Sequence, residues 1–179
     1  MKKNILKIIA GVVLLIVLYF LIFKISSGDK PFNQIQLTEN NFIYNENFPT
    51  YYDTILMVAM DEAELSGFNV TLRELSDKTK SQFEGELKAH IRYENDDFFI
   101  FTSKMGRSEA IDVLSHEVIH MLQYRSGNLS YTNGKVTWMG EVLDLNSKEY
   151  EERPWEVEAF QKQSKLAGKV GDSLWGDKQ

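Results

Sequence analysis

The pattern of hydrophobic and polar positions changes character after the first two dozen residues. Ile8–Phe23 is an uncharged apolar run, close to the length that an α-helix needs to cross the hydrocarbon core of a bilayer. Beyond it, apolar residues recur at helical or alternating spacing between polar turns, as in a globular domain. The pattern predicts an N-terminal membrane anchor at residues 1–25, a polar linker at 26–34 and one folded domain at 35–179.

The pattern of apolar and polar residues within the domain predicts a mixture of helices and strands. Helical periodicity covers three segments, and strand-like segments separated by turn residues lie between them. We expect helices at about 50–67, at Glu109–Arg125 with Ser108 as N-cap, and from Pro154 to about Leu166, with a frayed tail after Gly168. We expect a strand at Phe68–Leu75 and hairpins within Leu87–Thr102 and Ser130–Asn146. We therefore expect an α+β domain with a small antiparallel sheet or hairpins packed on the second helix.

The lysines around the first segment predict its orientation. Lys2 and Lys3 stand directly before the apolar run, and positive charge is retained on the cytoplasmic side of membranes. The N-terminus is therefore expected in the cytoplasm and the domain on the extracytoplasmic side, as in a single-pass membrane protein. A cleavable signal peptide remains the alternative, although its apolar region would be long and no A-x-A-like cleavage site follows.

Composition and charge exclude several classes of function. The chain has no cysteine, so thiol nucleophiles, cysteine-ligated zinc and iron–sulfur clusters are excluded. After residue 24 it carries 16 basic and 26 acidic side chains. Because nucleic-acid binding depends on neutralising phosphates, a domain this acidic is not expected to bind nucleic acid.

The motif His-Glu-x-x-His lies on the second predicted helix, at His116-Glu117-Val118-Ile119-His120. On a helix, positions i and i+4 share a face, so both imidazoles can bind one Zn²⁺. Glu117 is rotated by about 100° from His116, so its carboxylate can activate the metal-bound water without being a ligand. The alternative is two solvated histidines on an amphipathic helix.

This motif resembles that of the zincin metallopeptidases. It departs from their metzincin branch, because Gln123 and Ser126 stand where that branch has a glycine and a third histidine. The resemblance, which covers about residues 86–165, therefore implies a gluzincin-type site. In such a site a glutamate on a downstream helix is the third zinc ligand.

Three glutamates compete for the role of third ligand. The segment from Arg153 to Ala159 matches the E-x-x-A pattern of gluzincin-like families, and the match maps the ligand onto Glu156. Glu158 would be the ligand if the register of that helix differed. Glu141 follows His120 at a thermolysin-like spacing, but it lies in a predicted hairpin and is the least favoured.

The resemblance implies a zinc metallopeptidase that hydrolyses peptide or protein substrates with water as nucleophile, and the apolar N-terminal run predicts that it is anchored in a membrane. Asp112, Gln123 and Tyr150 are candidates to orient the ligands or to line the cleft. Two alternatives stay open: an inactive zincin-like binding or regulatory module, and an interaction domain that binds no metal. Since two histidines and a glutamate also bind Mn, Fe, Co or Ni, the resemblance does not exclude another metal.

Overall fold

The computed structural model describes residues 33–38, 41–80, 87–132, 134–145 and 148–176. The predicted anchor, including Ile8–Phe23, lies outside the described residues, as does most of the predicted linker. Among the described residues, no helix combines the length and the apolar character that crossing a membrane requires. The described part begins with strand residue Asn33, two positions inside the expected linker.

The main sheet is mixed, with parallel strands at its centre. Its five strands, in the order β1-β2-β3-β5-β4, are β1 (Asn33–Thr38), β2 (Asn41–Asn45), β3 (Asn69–Glu74), β4 (Ala89–Glu94) and β5 (Asp97–Thr102). Strands β2, β3 and β5 pair in parallel. The outer strands β1 and β4 pair antiparallel with their neighbours.

Three long helices accompany the sheet: α1 (Tyr51–Glu62), α2 (Arg107–Arg125) and α3 (Pro154–Trp175). They pack against one another in all three pairs. A one-turn helix at Asp77–Lys80 and a 3-10 turn at Tyr150–Glu152 complete the helical segments that the structure describes. A second, antiparallel sheet follows α2 and consists of β6 (Leu129–Thr132), β7 (Lys135–Trp138) and β8 (Glu141–Leu143).

The hydrophobic core lies between one face of the main sheet and the helices. Alternate positions of β5, such as Phe98 and Ile100, are fully buried together with Leu114 and Val118 of α2. A smaller cluster joins Leu129 and Val136 of the second sheet to Trp155, so packing of that sheet fixes the first turn of α3.

The α+β class is confirmed, and so is the first predicted hairpin. Its turn residues Asn95 and Asp96 have φ of 53° and 67°, which is the positive-φ pair that a type I′ turn requires. The pairing of β1 with β2 was not predicted. In β2, two of the buried positions are the polar residues Asn41 and Asn45, so the strand lacks a clear hydrophobic alternation.

Three predicted helix boundaries are wrong. Helix α1 ends at Glu62, before Gly67, because Glu64 takes a left-handed φ of 54°. Helix α2 starts at Arg107 after Gly106, with no side-chain cap from Ser108. Helix α3 continues past Gly168 to Trp175, since burial of residues on its second half outweighs the low helix propensity of glycine. Those buried residues are Leu166, Ala167 and Val170.

The loop that leads into α2 is held by Tyr52 of α1, and this contact can be tested. The fully buried Tyr52 accepts a hydrogen bond from the Met105 amide at 2.8 Å and donates one to the Ser103 carbonyl at 3.1 Å. Since Tyr52→Phe leaves both groups without this partner, we expect it to lower the free energy of unfolding by about 1–3 kcal/mol in urea titrations.

The matched control is Tyr93→Phe, whose hydroxyl bonds Asp96 at the exposed turn at 2.9 Å. It should lower the free energy of unfolding by less than about 1 kcal/mol, because water can replace that bond. Equal losses in the two variants would contradict the role given to Tyr52.

Candidate metal centre

Helix α2 presents His116 and His120 to the same point because they lie one turn apart. Both side chains are buried, with 7% and 4% of their surface exposed. Their Nε2 atoms are 3.0 Å apart. Two imidazoles at this separation bring two nitrogen lone pairs towards a common position.

Helix α3 supplies the third group from its first turn. Pro154 begins the helix, where its missing N–H is not needed, and Trp155 is buried under the second sheet. The next residue, Glu156, points to the histidines: its Oε2 atom lies 3.1 Å from His116 Nε2 and 3.2 Å from His120 Nε2.

The buried group of His116, His120 and Glu156 could hold a metal ion. The three facing atoms are separated by 3.0–3.2 Å. Tetrahedral ligands with bonds of about 2.0–2.1 Å are separated by about 3.3 Å, so the three atoms lie only slightly closer together than metal ligands do. The donor set of two imidazoles and one carboxylate suits Zn²⁺ and also several other first-row divalent metals.

The Glu156 carboxylate favours positive charge in the space that it shares with the two histidines. Burial alone would raise the pKa of Glu156, but its hydrogen bonds with both histidines outweigh burial and lower the pKa to about 2. Burial alone would lower the pKa of His120, but the neighbouring Glu156 carboxylate raises it to about 9. The carboxylate is thus ionised and stabilises positive charge on its neighbours.

Each imidazole is held on its other side by a glutamine. His116 Nδ1 lies 3.1 Å from Gln163 Oε1, and His120 Nδ1 lies 2.7 Å from Gln123 Oε1. These contacts leave the Nε2 atoms directed towards Glu156.

Glu117 lies beside this group without being part of it. Its side chain is 3% exposed, and Oε2 has no hydrogen-bond partner among the described residues. Burial raises the pKa of Glu117 to about 7, against the opposing charges of His120 and His116. It is therefore a carboxyl group whose proton is easily gained or lost near neutral pH.

An open cleft of about 1170 Å³ reaches the site. It is lined by residues from α2, α3, the start of β4 and the segment at 148–153, and these include His116 and Glu117. Tyr150 also lines it and interacts electrostatically with Glu156. Burial and the charge of Glu156 raise the pKa of Tyr150, so its hydroxyl stays protonated.

The other predicted candidates take different positions. Glu158 bonds Gln123 at 2.8 Å and Lys162 at 2.6 Å and is not in the metal-binding group. Glu141 is exposed in β8. Asp112 lines the cleft as an exposed side chain.

Of the two roles considered for Asp112, its exposed position fits lining the cleft rather than orienting His116. The Nδ1 atom of His116 faces α3, where Gln163 bonds it. Gln163 was not predicted, and its only signal in the sequence is its place two turns after Glu156 on the same helix. Gln123 was predicted either to orient a ligand or to line the cleft. Its position fits the first role, because it is buried and contacts His120 Nδ1.

No protein-family model, curated protein or solved structure matches this chain.

Replacing single ligands tests this assignment. We expect the folded domain to bind one Zn²⁺, and His116→Ala, His120→Ala or Glu156→Ala to weaken binding by more than about 100-fold, since even the loss of a residue that only orients a ligand costs 10–100-fold. Zinc affinity would be measured by competition with a chromogenic chelator.

Glu158→Gln is the control in this series, since it keeps an acceptor for Gln123 and should change zinc affinity little. If Glu158→Gln abolishes binding while Glu156→Ala retains it, the assignment of Glu156 is wrong.

Proposed function

We propose that this chain is a zinc-dependent metallopeptidase of the gluzincin type, with His116, His120 and Glu156 as ligands and Glu117 as the catalytic acid and base. The observation that carries the proposal is Glu117. It is a buried carboxyl group with one oxygen that has no hydrogen-bond partner in the described part of the chain, and it lies beside three side chains that could hold a metal, on the wall of an open cleft. A purely structural metal site has no use for such a group.

Bound at this centre, Zn²⁺ would lower the pKa of a water molecule to about 7 and polarise a substrate carbonyl. His116, His120 and Glu156 would be its three protein ligands, which is the number typical of catalytic rather than structural zinc sites. With no cysteine in the chain, a closed cysteine-rich structural site is excluded.

Glu117 would move the proton in the reaction. A nearby cation favours the ionised form of a carboxyl group, so the carboxylate can accept a proton from the attacking water. The same group can then donate that proton to the leaving nitrogen. Its unpartnered Oε2 atom is available for both steps.

Tyr150 would stabilise the negative charge that develops on the carbonyl oxygen. Tyr150 lies on the cleft wall, and burial and the charge of Glu156 keep its hydroxyl protonated. Because a hydroxyl has one hydrogen, this role requires that hydrogen to point at the oxyanion and not at Glu156.

The adjacent sheet edge supports a peptide substrate. Strand β4 is the last strand of the main sheet in the described part of the chain, and Leu87–Ala89 at its start line the cleft. An extended peptide could pair with this edge through main-chain hydrogen bonds.

We also propose that the N-terminal segment anchors the chain in a membrane and that the domain is extracytoplasmic, as the lysine distribution predicts.

Glu117→Gln separates catalysis from metal binding. The full chain, purified from the membrane fraction, would be assayed on a fluorogenic peptide library with and without a chelator. We expect Glu117→Gln to lower kcat/KM by about 10²–10⁴-fold, because the amide cannot transfer the proton, while zinc affinity stays within about threefold. Asp112→Asn, an exposed acid of the same cleft, should keep most of the activity.

If the zinc-loaded wild-type chain cleaved no peptide, this result would contradict the enzymatic proposal and favour the inactive binding module. Recovery of the chain in the soluble fraction would contradict the anchor.

A further inference from the structure

The two histidines of the metal centre are oriented by side-chain amides. In protein metal sites the second nitrogen of a ligating histidine usually donates its hydrogen to a carboxylate, a backbone carbonyl or water. Here both acceptors are glutamines, Gln163 for His116 and Gln123 for His120. Neither carries a charge.

The orientation of the Gln123 amide follows from its other contacts. Its Nε2 atom lies 2.9 Å from the Trp155 carbonyl and 2.8 Å from Glu158 Oε2. A carbonyl oxygen and an ionised carboxylate only accept hydrogen bonds, so the NH₂ group of the amide must face them. The oxygen of the amide therefore faces His120.

This orientation determines which nitrogen of His120 carries hydrogen. Gln123 Oε1 is an acceptor only, and it lies 2.7 Å from His120 Nδ1. The Nδ1 atom must therefore be the donor. In the neutral imidazole that leaves Nε2 without hydrogen, with its lone pair directed at the metal position.

Gln163 contacts the Nδ1 atom of His116 from the opposite helix. It lies on α3, two turns after Glu156, and its Oε1 atom is 3.1 Å from His116 Nδ1. Each histidine of α2 is thus tied to α3: His116 by Gln163 directly, and His120 through the bond of Gln123 to Trp155. Trp155 directly precedes the third ligand.

We propose that Gln163 and Gln123 are positioning residues that select the Nδ1–H tautomer of both histidines and fix the distance from their Nε2 atoms to Glu156. This inference rests on the metal centre of the proposed function. Its test needs no substrate, since it measures zinc affinity and the position of the imidazole hydrogen.

The test uses three substitutions in the full chain. Gln163→Met keeps the length of the side chain and removes the acceptor, Gln163→Glu restores an acceptor, and Gln161→Met is the control on the exposed face of the same helix. Gln163 is only half-buried, so Gln163→Met is expected to fold, which circular dichroism checks.

We expect Gln163→Met to weaken zinc binding by about 10–100-fold, the range found for residues that orient metal ligands. Gln163→Glu and Gln161→Met should bind zinc within about threefold of the wild-type chain. Side-chain ¹⁵N NMR can resolve the chain's three histidines. In the zinc-loaded wild type it should show His116 and His120 protonated at Nδ1 and coordinated through Nε2, and in Gln163→Met the His116 Nδ1 hydrogen should exchange faster with water.

Zinc affinity of Gln163→Met within twofold of wild type, with an unchanged His116 spectrum, would overturn this inference and leave the proposed function standing. Coordination through Nδ1 in the wild type would also overturn it. If the wild-type chain bound no zinc, both this inference and the proposed function would fail.

Discussion

The contact between α2 and α3, where the Glu156 carboxylate meets two imidazoles, is the constraint on which the rest of the site depends. Removing an ionised carboxylate from water is costly unless charge and hydrogen bonds replace its hydration. Glu156 is 4% exposed, and its contacts with His116 and His120 replace the lost hydration. The two helices can hold this arrangement only while both histidines and the glutamate stay aligned, which explains why each histidine has a further partner.

The rest of the domain provides that alignment. Ala159 of α3 is completely buried in the same core cluster as Leu114 and Val118 of α2. Trp155, packed under the second sheet, sets the rotation of the first turn of α3. Helix α2 is itself held by the core of α1 and the main sheet, in which Leu114 and Val118 are fully buried. Packing on both sides therefore determines where the three polar side chains meet.

The convergence of His116 and His120 could be predicted because the i,i+4 spacing is a local property of a helix. The E-x-x-A resemblance favoured Glu156 over Glu158, but helical periodicity alone does not separate them, since the glutamate that faces α2 depends on the rotation of α3. Contacts between residues far apart in the chain were even harder to predict. Gln163 contacts His116 across 47 positions, and this depends on how the two helices cross. Asp112 was the local alternative, and the helix crossing turned the imidazole away from it.

The same distinction applies to the fold. The β4–β5 hairpin could be predicted because its turn residues carry the signal, whereas β2 could not. Two of its buried positions are asparagines that bond the Leu65 carbonyl at 2.9 Å and the Asp53 carboxylate at 2.6 Å. Such partners become visible only once the chain is folded, so buried polar positions resemble a loop in the sequence.

X-ray absorption spectroscopy of the zinc-loaded chain tests directly whether His116, His120 and Glu156 bind the metal together. We expect two imidazole nitrogens with one carboxylate oxygen and one further light ligand, at about 2.0–2.1 Å. In the Glu156→Ala chain, loaded with excess zinc, the carboxylate contribution should disappear while both imidazoles remain. Fewer than two imidazoles in the wild type, or a spectrum that Glu156→Ala leaves unchanged, would contradict this ligand assignment.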